Sequence, residues 1–162
     1  MAEDQDKPLG ESITADGLKE LEAEVAELEG PERHEMAARI KAARELGDLK
    51  ENADYHIAKD DQAMLETRIK RLRARLRNAI VVDVEAEDNG AFSFGKTAEV
   101  VDQASGEVNT WTLVGSTEAD LASGKLSAES PIGEALRDTP VGNEVKVETP
   151  GGVKTFRVQS LV

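Results

Sequence analysis

Apolar residues in the first half of the chain recur at helical spacing. Leu18, Leu21, Val25 and Leu28 follow at steps of three and four, the stripe of a helix packed along one face against a partner helix. Thr14 stands before it as a candidate N-cap, with Asp16 near the positive end of the helix dipole. Gly30-Pro31 breaks the stripe, and Pro31, which has no N–H, must kink or restart the helix there. Met36, Ile40 and Ala43 resume the stripe, shifted by one position. A second stripe, Tyr55, Ala58, Gln62, Leu65, Ile69, Leu72, Leu76 and Ala79, keeps the alternation throughout. Between the stripes there is room only for a tight turn, near Lys50. A chain reversing there sets residues whose numbers sum to about 100 opposite each other. Val25 then faces Leu76, Leu28 faces Leu72, and Met36 faces Met64 or Leu65. Two independent stripes that meet on folding predict one antiparallel α-helical coiled-coil hairpin. At 1.5 Å per residue it is on the order of 45 Å long.

After Asn78 the period changes. Residues 79–84, A-I-V-V-D-V, read as a strand followed by the turn signal D-N-G. Residues 92–102 and 107–115 read as two more strands, joined by the turn at Ser105-Gly106. Short helical pieces are expected near 118–122 and over 131–136, the latter with Ser130 as N-cap and Pro131 at the first helical position. Residues 144–148 and 153–161 form a hairpin across T-P-G-G. The expected class is α+β. A polar leader without periodicity, read as disordered, spans 1–12, the hairpin 13–78, and a compact domain with a mainly antiparallel sheet 79–162.

Composition narrows the function classes. No cysteine is present, which excludes disulfides, thiolate metal sites and cysteine nucleophiles. The acidic start offers no apolar signal region and no run is long enough to cross a bilayer, so a soluble, cytoplasmic protein is expected. Net charge is −13, with 20 acids and 14 bases through Asp83 and 13 and 6 beyond it. Neither half has the basic excess of a protein that grips duplex DNA by its phosphates, so DNA binding by the chain alone is not expected. An acidic chain suits a positively charged groove on a partner.

The four acids Glu45, Asp48, Glu51 and Asp54 crowd the turn at spacings of three. Local spacing alone gives Asp48 and Glu51 a structural reading, with Gly47 ending one helix and D-x-x-E as a capping box for the next. The run G-D-L-K-E-N-A-D-Y-H-I-A-K over 47–59 closely resembles the tip signature of the bacterial Gre transcript cleavage factors, the GreA type in particular. I-T-A-D-G-L-K-E-L (13–21), L-V-G-S-T-E-A-D (113–120), S-A-E-S-P-I-G-E-A-L (127–136) and T-P-G-G (149–152) extend the resemblance over nearly the whole chain. It implies an N-terminal coiled coil that enters the secondary channel of RNA polymerase and an FKBP-like C-terminal domain that docks on the channel rim. By the same resemblance Asp48 and Glu51 are the tip carboxylates that act in the polymerase active site. They would share a second Mg²⁺ with the polymerase, held by no cofactor site of the free protein, and stimulate cleavage of backtracked RNA. The factor is then not itself an enzyme. Arg44 and Lys59 match basic positions near the extruded RNA 3′ end, and Ser130, Pro131 and Ile132 match the polymerase-docking segment.

Other residues have plainer readings. Arg68, Lys70, Arg71, Arg73, Arg75 and Arg77 face the acid-rich first arm in the expected register, which favours interhelical pairing over RNA binding. His34 and His56 lack metal-ligand spacing, Tyr55 lies on the core stripe, and Trp111 is expected in the C-terminal core. Phe92, Phe94, Trp111 and Phe156 are too few aromatics to suggest a prolyl isomerase pocket. Two alternatives stay open: a Gre-like channel inhibitor without cleavage activity, and a generic coiled-coil binding or chaperone module.

Overall fold

A computed structural model describes residues 10–48, 51–82 and 89–162, which form two compact units. The leader over 1–9, the reversal at Lys50 and the expected strand end at 83–84 lie outside the described residues.

The first unit, residues 18–79, is the helical hairpin. Helix α1 (Ala15–Glu27) runs into a π-helical stretch, Leu28–Glu32, then α2 (Arg33–Glu45); α3 (Ala53–Asn78) returns. Pro31 therefore neither breaks the arm nor restarts it. The π stretch holds one residue more per turn, and the Arg33 N–H reaches back five residues to the Leu28 carbonyl as well as to Gly30. The same extra residue explains the one-position shift of the apolar stripe. Leu28 at the start of the insert and Ile40 and Ala43 after it are all buried, so the π turn keeps both segments on one face. In α3, Ala58, Ile69 and Leu72 are buried, and Tyr55, Gln62, Leu65 and Leu76 are half-buried, as is Ala79 just past its end. Met64 is 71% exposed, so of the two residues expected opposite Met36 it is Leu65 that turns inward.

Two ion pairs lie in the expected register. Arg33 holds Glu66 with two hydrogen bonds of 2.8 Å, and Arg39 reaches Asp61 at 2.6 Å, both within a residue of the expected sum. Arg68 pairs with Glu24 and Arg73 with Glu29. Part of the basic run is thus engaged by the first arm, as its sequence suggests. The Arg73 hydrogen bond holds the Glu29 carboxyl below the usual glutamate range, and Arg33 does the same for Glu66.

Among the described residues, the second unit comprises 10–17, 80–82 and 89–162. Strand β1 (Glu11–Ile13) pairs with β2 (Ala79–Val81), with the Val82 N–H donating to the Ile13 carbonyl at 3.1 Å. Part of the segment read as disordered leader is therefore strand, and residues 13–17 group with the sheet unit rather than the hairpin. The anchor is Glu118. Its carboxylate accepts from the Thr14 hydroxyl at 2.5 Å and from the Thr14 and Gly115 N–H groups at 3.2 Å, while Thr14 Oγ1 caps α1 by accepting from Gly17 at 3.0 Å.

The main sheet contains β4 (Thr97–Asp102), β5 (Val108–Val114), β6 (Lys125–Ser127), β8 (Glu144–Thr149) and β9 (Gly152–Leu161) in the order β6-β5-β4-β9-β8. The β5–β6 pair is parallel and the others antiparallel. A separate antiparallel pair joins β3 (Ala91–Phe92) to β7 (Thr139–Pro140). The strand expected over 92–102 is interrupted because Gly95 adopts φ 82° and the chain turns between Ser93 and Lys96. The helical piece expected at 118–122 is a 3₁₀ turn at Leu121–Ser123, capped by Asp120.

Helix α4 (Pro131–Leu136) matches its expected bounds. Strand alternation buries Ala98, Val100 and Asp102 on one face of β4. The core is Phe92, Phe94, Ala98, Val100, Leu113, Leu126, Leu136, Val147, Phe156 and Val158, with Trp111 packed at its margin edge-on to Phe156. Among the described residues no helix is long and apolar enough to cross a membrane.

Candidate functional site

The hairpin tip is built by two helix ends. Helix α2 closes at Leu46, whose N–H donates to the Ala43 carbonyl at 3.2 Å, and Gly47 follows at φ 136°. Only glycine takes that backbone angle without strain, so the arm stops there. Helix α3 opens at Ala53 with Asn52 as N-cap, its side-chain oxygen accepting from the Tyr55 N–H at 3.1 Å. The capping box read over Asp48 and Glu51 is not how the helix is capped. Both carboxylates precede the helix and are exposed, and the cap function rests on Asn52.

Leu46, Asp48, Glu51, Asn52, Ala53 and Asp54 line one open depression of about 390 Å³. Three carboxylates thus border one surface hollow. Asp54 sits in the first turn of α3, where the helix dipole favours an acid. Glu45 and Asp48 lie at the negative end of α2, where an acid gains nothing from the dipole. Oxygen-only donors suit a hard divalent cation. Among the described residues no group of three or more His, Asp or Glu is arranged to hold a metal.

The basic residues are placed differently. The Arg44 guanidinium lies 5.8 Å from the Tyr55 ring centroid, and Tyr55 meets His56 edge-on at 5.7 Å. Arg44 is thus held across the hairpin against α3. Lys59 is exposed one turn further up α3 and donates to Gln62 at 2.9 Å. His34 and His56 are both exposed.

Two family models cover nearly the whole chain. "Transcription elongation factor, N-terminal" matches residues 11–81 and "Transcription elongation factor, GreA/GreB, C-term" matches 87–161. The chain belongs to the GreA/GreB family of transcription elongation factors. The transcription elongation factor GreA of Geobacillus kaustophilus is 42% identical over 146 residues, covering 90% of this chain and 92% of that protein. GreA of Pseudomonas aeruginosa is 45% identical over 147 residues, covering 90% and 93%. The crystal structure of GreA factor homolog 1 of Thermus thermophilus aligns over 94% of this chain and 99% of its own at 27% identity, with a TM-score of 0.41. At that overlap it adds nothing to the assignment, which rests on sequence.

In this Gre-family chain the third group of expected site residues lies in the sheet unit. Ser130 caps α4, accepting from Gly133 at 3.0 Å and donating to the Ser127 carbonyl at 2.7 Å, with Pro131 exposed at the first position. Ile132 packs against the core, so it is a structural residue as well as a candidate contact. Sequence reasoning missed Asn52, although asparagine just before A-D-Y is among the strongest N-cap signals. It also missed the Arg44–Tyr55 stack, which requires the register of the two arms to be known first.

Proposed function

We propose that this elongation factor acts on RNA polymerase, inserting the hairpin through the secondary channel so that the tip stimulates cleavage of backtracked RNA. The observation that carries this reading is the tip itself. Asp48 and Glu51 border one exposed hollow, and neither caps a helix because Asn52 does. The cap of α3 therefore depends on neither carboxylate.

In this reading Asp48 and Glu51 would hold Mg²⁺ jointly with the polymerase. The cation would supply charge neutralisation at the oxygens of the scissile phosphate. The chain's own contribution is to deliver two fixed anions to the end of a long rigid arm and to orient water beside them. Arg44, steadied against Tyr55, and Lys59 carry the positive charge that would meet the phosphates of the extruded RNA 3′ end. Pro131, exposed on the capped start of α4, would touch the channel rim together with Ser130 and the exposed part of Ile132. Chemistry remains with the polymerase, and the factor acts as its cofactor protein.

The test is RNA cleavage by purified backtracked complexes with and without the protein. Shortened transcripts that appear faster with the factor support the reading. Binding without any acceleration would make the chain a channel-occupying inhibitor. Failure to bind polymerase at all would leave a coiled-coil module with another partner.

A further inference from the structure

We propose that Asn52 is a positioning residue for transcript cleavage, tying both ends of the tip loop to one carbonyl and so fixing the Asp48–Glu51 pair. The inference rests on the reading above and adds a residue that touches no reacting atom. Its basis is the hydrogen bonding around Ala43. The Ala43 carbonyl accepts the Leu46 N–H at 3.2 Å, where the first arm ends, and the Asn52 Nδ2 at 2.5 Å, where the second begins. Both lone pairs of one carbonyl are thereby used, one for each end of the loop. The other half of the Asn52 amide caps α3 through Tyr55, and the Asn52 backbone carbonyl accepts from the His56 N–H at 3.2 Å.

The amide orientation follows from these partners, since a flipped side chain would face oxygen to oxygen at Ala43 and N–H to N–H at Tyr55. Ala43 is 4% exposed and Asn52 half-buried, so water replaces the lost bond poorly. Glu51 is the next residue back along the chain, and Asp48 lies two residues beyond Leu46. A shift at either anchor moves the carboxylates directly, and displacements near 1 Å can cost about a hundredfold in rate.

No other side chain does both jobs. Aspartate and serine cap helices about as well as asparagine. Aspartate has no donor for the Ala43 carbonyl, and serine is too short to cap and bridge at once. A residue that merely caps would be rescued by either substitution; a residue that ties the loop would be rescued by neither.

The experiment measures stimulated cleavage by backtracked polymerase against factor concentration for the full-length protein, Asn52→Ser, Asn52→Asp and Asp48→Asn. Far-ultraviolet circular dichroism checks that each hairpin is folded. For both Asn52 variants the maximal rate should fall at least about tenfold, with the half-saturating concentration unchanged and each hairpin still folded at the assay temperature. Full maximal rate in either Asn52 variant overturns the proposal, as does a loss confined to the half-saturating concentration or a loss that tracks unfolding. Asp48→Asn separates this from the broader reading. If it too keeps full activity, the catalytic role of the tip fails; if it is inactive while the Asn52 variants are normal, only the positioning role fails.

Discussion

Deleting Gly30 and replacing Pro31 with Ala should leave the hairpin folded and make it more stable. The reasoning starts from phase. Leu28 and Ile40 are both buried on the inner face although twelve residues separate them. At about 100° per residue, a regular helix would set them about 120° apart. The π stretch at Leu28–Glu32 absorbs the extra residue. Removing one residue brings the separation to eleven, and a plain α-helix then misaligns them by only about 20°.

Nothing buried is lost in the change. Gly30 and Pro31 are exposed, and a Cβ at Gly30 would meet no atom within 4 Å. Loss of an interior glycine is worth about 0.8–1.0 kcal/mol, and loss of the proline adds part of the roughly 3 kcal/mol it costs in a regular helix. A net gain of about 1–2 kcal/mol is expected. Urea unfolding followed by far-ultraviolet ellipticity reads it directly. Deleting Lys70, an exposed residue in the middle of α3 with no insert to remove, is the control and should destabilise strongly by turning Leu72 away from its partner arm. A loss above about 1 kcal/mol for the Gly30 deletion with Pro31→Ala would refute the phase argument.

Three further outcomes are expected. Leu72 is 8% exposed, and Leu72→Ala should cost about 2–4 kcal/mol in the same unfolding assay, whereas Met64→Ala, at a position 71% exposed, should stay within about 0.5 kcal/mol. Glu29 and Glu66 sit below the usual glutamate range in the folded hairpin because Arg73 and Arg33 bond to them. Their contribution is therefore complete above the unfolded value, near pH 4.3, and is lost as pH falls through the lowered folded values. Thermal midpoints should drop in that acid window and less steeply in high salt, since both pairs are solvent-exposed. Pro131→Glu keeps the Ser130 cap and suits the start of a helix, so it should weaken polymerase binding without unfolding the sheet unit; unchanged affinity would remove that position from the interface.

Much of this architecture was legible because burial on one face imposes its period on the sequence. Both hairpin stripes were visible for that reason, and so was the one-residue offset at Gly30-Pro31. The form of the offset was not visible, because proline permits a kink, a restart or a widened turn and only the packing on either side selects among them. Strand β1 escaped notice because E-S-I is too short for periodicity and its partner lies some seventy residues away. The strand read over 92–102 was continuous in hydrophobicity, while Gly95 turns it by a backbone angle that composition does not reveal. At the tip both Asp48 and Asn52 satisfy the rule for a cap. Asn52 has the second hydrogen-bonding group that the Ala43 carbonyl requires, and a carboxylate has none to offer. That choice depends on a contact across the hairpin, which no local pattern contains.

The most direct measurement is stimulated cleavage by Asp48→Asn at saturating concentration, with its affinity for backtracked polymerase determined in parallel. Asn52 caps α3, so this change removes one negative charge and leaves the cap intact. Cleavage should fall to the level seen without the factor while affinity and thermal midpoint stay at their original values, the pattern of an interaction made only in the transition state. Full stimulation by Asp48→Asn would contradict the account and leave the tip carboxylates as surface acids.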